Sequence, residues 1–154
     1  MVHALHEARR VLRPDGLLLD LRPAAVHRRV GLMQAERYRP VGIMRETFDD
    51  DRAADRAVLA VKGEGLFKVE SRAVFTCNRT MDSLDEFQEW LANFVKLTKQ
   101  SPHDWLVRRV EQALAVTGGK ARVVVSGPLV LRVLRRRETT AQPAGFSRRA
   151  KRAG

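Results

Sequence analysis

The stretch that most restricts this chain is Arg13-Pro14-Asp15-Gly16, placed between a helical pattern and three consecutive leucines. Ala4, Leu5, Ala8, Val11 and Leu12 recur at helical spacing and predict one apolar stripe. Arg9, Arg10 and Arg13 load the helix end with positive charge, which suits the negative pole of its dipole. Pro14 cannot continue the helix and biases Arg13 toward extended backbone. Asp15-Gly16 then supplies a tight turn. Leu17 to Leu19 are apolar without alternation, which predicts a strand covered on both faces, as in a parallel sheet flanked by helices. The chain thus opens as an α→β unit of a layered α/β domain.

Composition agrees with a folded domain. The 154 residues suffice for one domain with a real core, and 44% hydrophobic content is too high for a disordered chain. No run approaches the length of a membrane span, and the amino terminus lacks the apolar segment of a signal peptide. Cys77 stands alone, which excludes an internal disulfide framework and points to a reducing, cytoplasmic setting. Asn78-Arg79-Thr80 matches a glycosylation sequon, read here as chance in a chain without a secretory signal. Of the net charge of +11, +6 falls within residues 135–154, on Arg135, Arg136, Arg137, Arg148, Arg149, Lys151 and Arg152 against Glu138. Two readings follow: a contact with nucleic acid or another acidic partner, or a solvated basic tail. No aromatic residue falls within either arginine run to stack on bases.

Along the chain, residues 25–46 predict a hairpin. Val26, Arg28 and Val30 alternate with His27, Arg29 and Gly31, and Val41, Ile43 and Arg45 with Gly42, Met44 and Glu46. Gln34–Arg39 form its connection, with a short helix over Met33–Tyr38 as the alternative. A helix from Thr47 to about Val61 places Ala54, Ala57, Val58 and Val61 inward and stops at Gly63 or Gly65. Asp49-Asp50-Asp51 suit the positive end of its dipole; consecutive carboxylates diverge, which favours capping over metal binding. Leu66–Cys77 predicts a strand with Phe67, Val69, Ala73, Phe75 and Cys77 on one face, making Cys77 a packed thiol. Ser83-Leu84-Asp85-Glu86 is a capping box for a helix to about Leu97, and Ser101-Pro102-His103-Asp104 caps another that Gly118-Gly119 ends. Gly118-Gly119-Lys120 lacks the upstream Gly and following Ser/Thr of a phosphate loop. Ala121–Leu134 predicts a last strand with a bulge or kink at Pro128. Residues 1–137 form the domain and 138–154 a disordered basic tail on this reading.

The run Leu5-His6-Glu7-Ala8-Arg9-Arg10-Val11-Leu12-Arg13-Pro14-Asp15-Gly16-Leu17-Leu18-Leu19 resembles the helix–turn–strand segment of class I S-adenosylmethionine-dependent methyltransferases that precedes and includes the fifth strand. Asp15 stands where the family has the first Gly of Pro-Gly-Gly. The resemblance implies a partial Rossmann-like sheet: Leu17–Leu21 as strand five, Leu66–Cys77 as strand six and Arg122–Leu134 as strand seven, with flanking helices and an inserted hairpin and helix cover. It implies methyl transfer to an unidentified acceptor by the intact family member.

The family's cofactor machinery belongs to the other half of the fold: a Gly-rich turn after the first strand, a ribose-binding acid after the second, a polar residue after the fourth. No G-x-G pattern here opens a helix after a strand, since Gly63-Glu64-Gly65 ends a helix and precedes a strand, the reverse order. The chain therefore reads as truncated, inactive alone and unable to bind S-adenosylmethionine by itself. Strand 17–21 would keep an open edge able to pair with another chain. In the family, the loop after strand five and the inserted cover help form the acceptor pocket, which puts Asp20, Arg22, His27 and Tyr38 forward as pocket residues; the competing reading makes them ordinary loop and edge polar groups. His3 and His6 lie three apart on a helix but lack Cys or carboxylate partners at metal-site spacing, and His103 suits a first helical turn.

Overall fold

One long strand carries the architecture. In the computed structural model, which describes residues 1–98, 103–118 and 120–138, β5 (Arg122–Arg136) is flanked along its length by β4 (Phe67–Met81). Its other edge is shared end to end by β1 (Leu17–Pro23), which pairs with residues 129–135, and β2 (Arg28–Gln34), which pairs with residues 122–126. β3 (Arg37–Met44) completes a hairpin with β2. Every pairing is antiparallel. The domain is α/β, but the parallel sheet expected from Leu17–Leu19 is not what forms.

Helices cover the sheet unevenly. α1 (Val2–Val11) and α2 (Asp49–Gly63) pack over the half that contains β1, where Leu5, Ala57, Val58, Val61, Phe67 and Leu134 form a buried cluster joined by Leu12 and Leu18. α3 (Leu84–Thr98) and α4 (Asp104–Val116) pack over the half that contains the hairpin, burying Val30, Leu32, Met44, Phe87, Leu106 and Val123. Leu134 and Val123 have opposite parity on one strand, so the two helix pairs lie on opposite faces. Each face is thereby bare over the half its helices do not reach. Leu17, Leu19 and Leu21 fall on such a bare quadrant, exposed at 47%, 63% and 56%, so the expected cover on both faces is absent and only Leu18 reaches the core. Among the described residues no helix is long and apolar enough to cross a membrane.

Local chemistry explains most element ends. Gly65 adopts φ +72°, and Gly65 and Leu66 donate to the carbonyls of Lys62 and Val61, closing α2 with a Schellman motif. The Ser83 hydroxyl accepts from the Glu86 amide at 3.1 Å while the Glu86 carboxylate accepts from the Asp82 amide at 2.8 Å, holding the start of α3. The alternative helix at Met33–Tyr38 does not form. Ala35 and Glu36 make a two-residue turn with φ of 45° and 66°, the left-handed pair that matches hairpin twist.

Two strand expectations need correction. β5 runs through Pro128 with its β4 register unbroken, and the irregularity lies in β4 between Val69 and Ser71. Pro128 sits at the seam between β1 and β2, opposite Ala24, whose carbonyl instead accepts from Val26 at 2.7 Å. The proline's missing donor is therefore not missed. The β4 bulge at Glu70 also splits the apolar alternation: Phe67 and Val69 share the face of Leu134, whereas Ala73, Phe75 and Cys77 lie opposite Leu131, Leu129 and Gly127 on the other face. Cys77 is consequently exposed rather than packed. Val11 is likewise exposed, so the α1 stripe is narrower than its spacing suggests. Ser101, Pro102, Gly119 and the tail beyond residue 138 lie outside the described residues.

Candidate functional site

The four residues put forward from the sequence separate into two pairs. Asp20 and Arg22 project from β1 beneath α2. The Arg22 guanidinium grips Asp20 through Nε at 2.9 Å and Nη2 at 3.0 Å, and also reaches Asp55 at 3.0 Å and the Asp51 carbonyl at 3.2 Å. Arg132 of β5, directly opposite Asp20, donates to Asp20 at 3.1 Å and to Asp55 at 2.7 Å. Burial works against the Arg132 charge, but its hydrogen bonds to Asp55 and Asp20 outweigh that and raise its pKa. Every charge in this group has a partner, and the group joins α2 to the sheet.

His27 and Tyr38 meet on the other bare quadrant. They line a shallow depression of about 540 Å³ with Arg29, Asn78 and Ser126. The Tyr38 ring lies over Gly31, where a Cβ would approach ring carbons to 2.5 Å. Desolvation raises the Tyr38 pKa, partly offset by the charge of Arg29, so its hydroxyl is neutral at physiological pH. His27 Nδ1 accepts from the Glu46 amide at 3.1 Å, and its ring stands 4.9 Å from that of Phe48.

A different cavity, of about 520 Å³, opens at the carboxyl end of β1. Its walls come from the β1–β2 loop (Pro23, Val26), the β3–α2 connection (Phe48 with Asp49–Asp51) and the end of α3 (Phe94). Within it, Arg28 and Glu46 form an ion pair, with the Arg28 amide also donating to Glu46 at 3.1 Å. Only 7% of the Glu46 side chain is exposed, and the Arg28 guanidinium stacks 4.9 Å above the Phe94 ring. Gly127 admits this arrangement, because a Cβ there would meet the Arg28 side chain at 2.9 Å. The cavity thus has aromatic walls, one internally satisfied ion pair and an acidic rim. That combination suits holding an organic molecule more than activating a nucleophile. Sequence reasoning passed over Arg28, Glu46 and Phe94; the signal was an arginine and a glutamate of opposite charge at the two open ends of one hairpin.

His6, His103 and the first arginines of the basic run serve the fold. His103 is 4% exposed, and its Nε2 lies 2.8 Å from the Arg45 carbonyl, tying α4 to the hairpin. His6 pairs with Glu64 at 3.0 Å, bridging α1 to the end of α2. Among the described residues, no group of three or more His, Cys, Asp or Glu is placed to hold a metal. Arg135 binds Glu70 at 3.1 Å and the Asp15 carbonyl at 2.9 Å, and Arg136 donates to the Leu12 carbonyl at the end of α1. The first part of the basic run therefore staples β5 to the α1–β1 turn. No family model matches the chain, and no match was found among curated proteins or among solved structures.

Proposed function

We propose that this chain is the acceptor-binding, carboxyl-terminal portion of a class I S-adenosylmethionine-dependent methyltransferase-like domain. The observation that carries the reading is the arrangement around β5. β4 and β5, in the places of the sixth and seventh strands, pair antiparallel over their whole length, and β1, in the place of the fifth, borders β5 on its other side. The β2–β3 hairpin and α2 stand between β1 and β4 in the chain, where the family carries its inserted cover. The Arg-Val-Leu-Arg-Pro-Asp-Gly turn precedes β1. The cavity at the carboxyl end of β1 is the acceptor pocket on this reading, since ligands of open α/β sheets bind beyond strand carboxyl ends. Asp20 and Arg22 then support that strand from beneath, and His27 steadies the cavity wall through Glu46 and Phe48.

The cofactor, S-adenosylmethionine, is supplied with the other half of the fold; this chain alone is expected not to bind it. Two measurements test the reading separately. Calorimetric titration of the chain with S-adenosylmethionine is expected to give no binding heat, and micromolar affinity would overturn the assignment of cofactor binding to another segment. The transcript ahead of Met1 is expected to encode, in frame, a strand followed by a G-x-G turn; a stop codon there would count against the domain reading.

The competing reading is a binding module that holds nucleic acid or another acidic partner through the basic carboxyl end. It rests on the charge concentrated in residues 135–154. Salt-sensitive binding to RNA or DNA that disappears on removal of residues 138–154 would favour it.

A further inference from the structure

We infer that the open edge of β1 pairs with the same edge of a second copy of this chain, forming an antiparallel two-fold dimer centred on Leu19. The Arg136 amide donates to the Gly16 carbonyl at 2.8 Å, and the Ala24 amide to the Pro128 carbonyl at 2.9 Å. Gly16 and Ala24 thus face β5, and by the alternation of an antiparallel ladder so do Leu18, Asp20 and Arg22. The N–H and C=O groups of Leu17, Leu19 and Leu21 consequently point away from the sheet, along an edge that no described strand covers.

That edge is complementary to itself. With Leu19 opposite Leu19 of the second copy, Leu17 stands opposite Leu21 and Leu21 opposite Leu17. All three are hydrogen-bonded pairs, and none needs the donor that Pro23 lacks. A register centred one residue later would set two Asp20 residues face to face and place Pro23 opposite Leu17, losing a donor and opposing like charges. A two-fold axis normal to the sheet also brings the leucine quadrants together. Leu17, Leu19 and Leu21 from both copies become one apolar strip, continuous on each side with Leu129, Leu131, Val133 and the exposed Phe75. Joining both edges and abutting six leucines removes on the order of 1,000 Å² from water, at the lower bound for a specific interface. Reversible, concentration-dependent association is therefore expected. Each copy carries a net charge of +11, so association strengthens as salt is raised, the opposite of an interface held by ion pairs. The inference concerns residues 1–154 by themselves: if the other half of the fold required by the methyltransferase reading is present, its neighbouring strand takes this same edge and competes with the second copy for it.

The test is sedimentation velocity of the full chain across a hundredfold concentration range at low and high salt, combined with disulfide trapping in a Cys77→Ser background. A monomer–dimer equilibrium favoured by salt is expected. Leu19→Cys is expected to cross-link to itself, because directly opposed Cα atoms at about 5.5 Å lie within disulfide reach. Leu17→Cys is expected not to, since its own counterpart lies four residues away along the paired strand. A monomer throughout, association that weakens with salt, or self-linking of Asp20→Cys in preference to Leu19→Cys overturns the proposal. Leu19 is 63% exposed, so its replacement leaves the monomer fold intact, which circular dichroism verifies.

Discussion

Asp20→Ala is the most informative single change, because it separates a residue that braces β1 from one that merely decorates a loop. Asp20 accepts from both Arg22 and Arg132, whose side chains are only 13% and 15% exposed. Removing its carboxylate leaves two largely buried guanidinium groups, each still able to reach Asp55, at 3.0 and 2.7 Å. Breaking a fully buried pair costs about 3–5 kcal/mol and an exposed one about 0.2–1 kcal/mol; with one partner kept by each arginine, about 2 kcal/mol is expected. Asp55→Ala alone, at a half-exposed carboxylate, is expected to cost about 1 kcal/mol. The double variant leaves Arg132 without either carboxylate, so its cost is expected to exceed the sum of the singles by about 1 kcal/mol. Urea unfolding followed by circular dichroism measures all three, with unchanged slopes required for the comparison. An Asp20→Ala cost below about 0.5 kcal/mol, or strict additivity with Asp55→Ala, would refute the network as the link between α2 and the sheet.

Other consequences follow from the same geometry. Arg28→Leu strands the buried Glu46 carboxylate and is expected to cost about 3 kcal/mol in urea unfolding, whereas Arg28→Leu with Glu46→Leu recovers most of it. Gly31→Ala drives a methyl into the Tyr38 ring and the Arg39 carbonyl and is expected to destabilise by about 1–3 kcal/mol. The hydrogen bond from Arg135 holds the Glu70 pKa below its ordinary 4.5. A depressed carboxylate pKa contributes stability above its unfolded value and loses it as pH falls through the folded one. Glu70→Gln is therefore expected to flatten the stability profile below about pH 4.5 and to leave its shape near pH 7 unchanged.

The helix ends were the most legible feature of the sequence, because each rests on chemistry within a few residues. Pro14, Ser83 with Glu86, and Gly65 after α2 each mark a boundary through their own backbone preferences or short-range hydrogen bonds, although after α1 it is Asp15, at φ +56°, and not Gly16 that takes the left-handed turn position. The hairpin was legible in outline, with Val30 and Leu32 burying one face of β2, but a bulge at Val41 breaks the alternation expected of β3, so that Met44 joins Val41 in the core and Ile43 is exposed. What misled was any inference about who covers a strand. Three leucines in a row look the same whether helices lie on both faces or on one, and β1 has them on one. The fate of Cys77 turned on the single extra residue at Glu70, which shifts every later side chain of β4 to the other face. Pro128 looked like a break within a strand because the sequence gives no hint that two strands meet end to end beside it. The site suffered most. Asp20 and Arg22 were placed in a loop pocket, yet their partners Asp55 and Arg132 are 35 and 112 residues from Asp20 and emerge only when α2 crosses the sheet. Arg28 and Glu46 are joined across a hairpin, and neither belongs to a recognisable motif.

The account depends above all on β1 presenting one side of its backbone to β5 and the other to none of the described strands. NMR-detected amide exchange of the protein at rising concentration reads this residue by residue. Leu18 and Asp20 are expected to be protected throughout, while Leu17, Leu19 and Leu21 exchange rapidly in dilute solution and become protected as copies pair. Uniform protection along residues 17–21 in dilute solution would mean that the edge is already filled, and would contradict the account.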